Sequence, residues 1–197
     1  MTKQFLQTLS YVACAIFVVP VAIISHELGH FASYLYFRAE NVRLLAFSVS
    51  AKTDPLSTSQ IAVSNIVGPI ITYLTVIVAA LMIRKQYSSF WVILAIAAPI
   101  GRIVNAVYIY FRVLGYNPNP NFDEYNFSRC LNVDPLLISI PTMAVVVTIF
   151  FSFGRKAWMH GGYKELGLII VSIVIGITLW STIGPLLLSY EGNHPTG

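Results

Sequence analysis

FLQTLSYVACAIFVVPVAIISHELGHFASYLYF, residues 5–37, decides the fold. No charged residue occurs between Phe5 and Ser25. A bilayer core about 30 Å thick is crossed by about 20 apolar helical residues. The run is long enough to cross with turns to spare, and His26, Glu27 and His30 come towards its far end. It is too long for the apolar core of a signal peptide and carries no small-residue cleavage pattern, so it reads as part of the mature fold.

Outward from this run, the rest of the chain has the same character. Of 197 residues 56% are hydrophobic and 10% charged, against about a quarter charged in a soluble domain. Mean hydropathy is +0.73. Four further apolar segments, 61–83, 90–111, 135–153 and 166–189, are near spanning length. The expected fold is therefore mostly α: a polytopic transmembrane bundle of about five spans, forming one domain over residues 1–190 with a polar tail over 191–197. This predicts a multi-pass integral membrane protein with the lipid bilayer as its surroundings. The net charge of +4 is scattered between apolar runs. No basic stripe suggests nucleic acid, and Cys14 and Cys130 are too few for a disulfide framework. Basic residues divide six against five between the two sides, so orientation is not fixed by charge. Nothing in the chain fixes an oligomeric state.

Two connections carry more than linkage. In 38–60, Leu45, Phe47, Val49 and Ala51 alternate with Ala46, Ser48 and Ser50, a period of two that predicts a strand. In 113–134, Pro118 and Pro120 forbid a regular helix through the run Tyr116–Glu124. Irregular backbone at membrane depth must be buried in protein or line a wet cavity.

His26-Glu27-Leu28-Gly29-His30 is an H-E-x-x-H motif. On a helix, i and i+4 share a face, so both imidazoles can reach one metal ion. Glu27 projects about 100° away from His26, beside the metal, where it can move protons. Ionisable groups within a span are expensive and mark function. Two histidines leave a catalytic zinc one protein ligand short. His160 and His194 read as solvated. The carboxylates in play are Glu40, Asp54, Asp123, Glu124, Asp134, Glu165 and Glu191. Asp123 stands out because it follows the Pro-x-Pro run, with Glu124 its main rival.

With its second run Pro118-Asn119-Pro120-Asn121-Phe122-Asp123, the chain resembles the site-2 protease family of intramembrane zinc metalloproteases. That family carries H-E-x-x-H on one transmembrane helix and supplies its third zinc ligand from the Asp of P-x-P-x-L-D-G. Here Phe122 replaces the Leu, Glu124 replaces the Gly, and Gly115 stands where the family has Asn. Gly68-Pro69 at the second helix also resembles the family. The resemblance covers residues 5–134 and implies Zn²⁺ held by His26, His30 and Asp123, with Glu27 as general base. The implied activity is hydrolysis of peptide bonds within or near transmembrane segments of a membrane-protein substrate. The strand at Phe47 would bind the extended substrate by edge addition.

Arg102 and Asn105 lie three apart and share a helix face. Either could stabilise an oxyanion, or Arg102 neutralises Asp123 or Glu124 or snorkels to the interface. Asn105 and Phe47 are thus candidate substrate or oxyanion contacts. Pro99 and Gly101 predict a kink in the third span. The alternative function is a catalytically inactive zinc-binding membrane protein acting as a binding partner, which has no need of Glu27. A metal transporter would want polar ligands along spans four and five, which have almost none.

Overall fold

The first apolar run folds as one helix, α1 (Lys3–Tyr36), in the computed structural model, which describes residues 3–192. After it come strands β1 (Glu40–Leu45) and β2 (Val49–Lys52), then helix α2 (Thr58–Lys85). Helix α3 (Ser89–Ala97) passes through a 3₁₀ turn (Ile100–Ile103) into α4 (Val104–Val113), so the third span is broken just where Pro99 and Gly101 predict. Helix α5 (Asp123–Cys130), helix α6 (Leu136–Leu187) and strand β3 (Ser189–Gly192) complete the described chain. Four stretches are long and apolar enough to cross a membrane: Phe5–Tyr36, Thr58–Lys85, Ser89–Val113 and Leu136–Leu187.

Straight, the 52 residues of α6 would reach about 78 Å, far more than a bilayer. They do not run straight. The backbone leaves helical geometry at Gly162, with φ 68° and ψ −158°. A Cβ on Gly154 would lie 3.8 Å from Leu166 Cδ1, a contact that requires the chain to reverse in between. The expected fourth and fifth spans are thus two limbs of one kinked element.

α1 is the hub, packed on α2, α3 and α6. Ala15, Val18, Val19 and Ala22, spaced i, i+3, i+4, i+7, bury one stripe. Against it pack Val76 and Ala79 of α2, Val92 and Ile93 of α3, and Ile169 and Ile173 of α6. α2 starts on a reciprocal capping box between Ser57 and Gln60 and ends on Arg84 and Lys85, which suit the helix dipole.

The strand expected over 45–51 is a hairpin instead. β1 and β2 pair antiparallel with Leu44 opposite Val49, and Leu45 N–H donates to the Ser48 carbonyl at 2.9 Å. Ala46, Phe47 and Ser48 therefore form the turn. The alternation misled because it runs through a turn whose residues lack Gly, Pro or Asn. The sheet has the order β2-β1-β3, and β3 pairs antiparallel with β1. Glu191 and Gly192, expected in the tail, thus belong to the sheet, and the rest of that tail (193–197, with His194) lies outside the described residues.

Candidate metal centre

α1 and α2 run antiparallel and touch closely where Gly29 meets Gly68, whose backbone atoms lie 3.2 Å from the place a Gly29 Cβ would take. This brings α2's few buried polar groups against the two histidines. His26 Nδ1 lies 2.8 Å from Thr72 Oγ1, and His30 Nδ1 lies 2.6 Å from the Ser64 carbonyl. A carbonyl can only accept, so His30 donates from Nδ1 and keeps a lone pair on Nε2.

The 113–134 connection folds back to this place. Phe122, extended and buried, packs between Tyr108 and Tyr125, with ring centroids 5.7 and 5.9 Å away. It fixes Asp123 as the first residue of α5. Asp123 Oδ2 lies 3.0 Å from His26 Nε2 and 3.2 Å from His30 Nε2, and the two Nε2 atoms are 3.1 Å apart. Burial pushes the Asp123 carboxyl up, but both imidazoles and the Arg102 guanidinium outweigh it and hold the group well below the usual carboxylate range. His26 Nε2, His30 Nε2 and Asp123 Oδ2 thus converge at a spacing that a shared proton or a bound cation would satisfy. The group could hold a metal ion.

Glu27 is 8% exposed and lines the same cavity of about 270 Å³. Phe47, Ser48 and Val49 line it too. The hairpin tip is held by Trp180 of α6, whose Nε1 donates to the Ala46 carbonyl at 3.1 Å.

Arg102, on the 3₁₀ turn, donates through Nη1 to Asp123 Oδ2 at 2.8 Å and to Glu124 Oε1 at 2.9 Å. It therefore neutralises both acids, as the plainer expectation had it. Glu124, 1% exposed, turns to Arg102 and not to the histidines. Asn105 is fully buried, donates to the Arg102 carbonyl at 3.1 Å and does not line the cavity. His160 stands elsewhere, 3.4 Å from Glu165 and stacked on Tyr87.

Sequence reading missed Ser64, Asn65 and Thr72. Asn65 lines the cavity, and the other two anchor the imidazoles. For Asn65 and Thr72 the signal was available: they lie seven residues apart, on one face of a mostly apolar helix. No protein-family model, curated protein or solved structure matches the chain.

Proposed function

We propose that this chain is a multi-pass integral membrane protein and a zinc metalloendopeptidase of the site-2 protease kind. It would cut within or near transmembrane segments of other membrane proteins. The observation that carries the reading is the convergence of His26, His30 and Asp123 to 3.0–3.2 Å, with Glu27 on the same cavity. Ligand atoms about 2.0–2.1 Å from a tetrahedral zinc are about 3.3 Å apart, so the donor set fits this ion in number, chemistry and spacing.

A zinc ion held by these three residues would polarise the scissile carbonyl and acidify a nearby water. The remaining work falls to the chain. Thr72 and the Ser64 carbonyl fix the imidazoles. Glu27 takes a proton from the attacking water as its oxygen bonds the carbonyl carbon, then gives it to the amine nitrogen as the C–N bond breaks.

Arg102 Nη2 lies 3.2 Å from His26 Nε2, a cation beside the site in the protease and in the inactive zinc-binding alternative alike. Glu27→Gln separates the two readings. The variant should fold and retain zinc by elemental analysis. Cleavage of a membrane-peptide library, read by mass spectrometry, should fall by at least about a hundredfold. A variant that cleaves at the wild-type rate refutes the mechanism.

A further inference from the structure

The metal cavity has a neighbour. A second cavity of about 400 Å³ shares Tyr34, Asn65 and Asn126 with it, and is otherwise bounded in part by Thr53 and Arg129. The two are therefore adjoining chambers with one wall in common. The segment 48–53, which contains β2, reaches from one to the other: Ser48 and Val49 line the first, and Thr53, just past the end of β2, lines the second.

β2 is an edge strand, paired only on its β1 side among the described strands. A peptide added to that edge would advance about 3.3 Å per residue. From Val49 to Thr53 is four residues, or about 13 Å. Side chains four apart on an extended peptide point to the same face. A peptide with one side chain in the metal cavity thus offers the side chain four residues away to the second cavity.

The charge of that chamber selects what it takes. Arg129 is exposed and touches only neutral groups: the Asn119 amide oxygen at 3.3 Å and the Tyr125 ring, 5.9 Å to its centroid. Among the described residues no carboxylate pairs with it. The other groups named on this wall, Tyr34, Thr53, Asn65 and Asn126, are neutral hydrogen-bonding residues. The other arginine near the cluster, Arg102, is committed to two acids.

We propose that the second cavity is a substrate subsite that takes an acidic side chain about four residues from the scissile bond, recognised by Arg129. The inference rests on the protease reading. The test uses the full chain in detergent and a peptide library of randomised sequence, with cleaved positions read by mass spectrometry. Wild type should prefer Asp or Glu over Lys or Arg, by about threefold to tenfold, at one position three to five residues from the cut. Arg129→Gln should erase the preference and Arg129→Glu should invert it. Cleavage with the same preference in all three proteins overturns the subsite and leaves the protease reading standing. No cleavage of any peptide by wild type overturns both.

Discussion

At Gly68 the chain has no room for a methyl group. A Cβ there would lie 2.2 Å from His30 Nε2, and His30 cannot draw back because the Ser64 carbonyl holds its Nδ1 at 2.6 Å. Both constraints come from the same helix, so α2 acts as a template for the imidazole. Gly68→Ala should therefore fold but bind metal about tenfold to a hundredfold more weakly, as loss of a ligand-orienting contact does. Competition with a chelating dye measures this, and wild-type affinity in the variant would reject the template. At this scale much of the site was legible. The i, i+4 histidines and the acid after Pro118 and Pro120 are local patterns, and the structure groups those three residues. The contacts that hold them were less so. Ser64 acts through its backbone carbonyl, which no side-chain pattern reveals. Asn105 shares a helix face with Arg102 yet spends its amide on the backbone.

Single elements were read well where hydrophobic periodicity is long and poorly where it is short. The spans emerged from their apolar length alone. α5 did not, because DEYNFSRC is polar and sits inside a run marked by two prolines. It forms because Phe122 and Tyr125 pack on Tyr108 while Asn119 accepts from Tyr125 at 2.9 Å. The hairpin is a similar case, since its turn depends on a partner far along the chain. Trp180 grips the Ala46 carbonyl, and its ring centroid lies 6.5 Å from that of Phe47. Trp180→Phe keeps an aromatic ring and removes the donor, at a loss of about 1 kcal/mol. Amides at 45–49 should then exchange about fivefold faster in hydrogen–deuterium exchange, while those of α2 stay unchanged. Equal exchange at 45–49 would mean that packing alone holds the tip.

Across the whole molecule, the polar interior gathers in two places along α1. One is the histidine cluster. The other is Glu165, 4% exposed, which sequence reading counted among the possible metal ligands. It accepts hydrogen bonds from Tyr11 of α1 and, at 2.7 Å, from Tyr87 between α2 and α3. Burial, followed by the bond to Glu165, pushes the Tyr87 phenol up, so it stays a donor. Nothing local links positions 11, 87 and 165, and only the packed bundle brings them together. Tyr11 is fifteen residues before His26 on α1, about 22 Å at 1.5 Å per residue. Sites that far apart with no shared partner contribute independently. Glu165→Ala leaves two tyrosine hydroxyls without their acceptor, at about 1–3 kcal/mol each. The variant should therefore be about 2–6 kcal/mol less stable, with the full complement of bound metal. Unfolding in detergent and metal analysis of the folded fraction test both halves. Unchanged stability would deny the clamp, and metal loss from folded protein would show that the two ends of α1 are coupled.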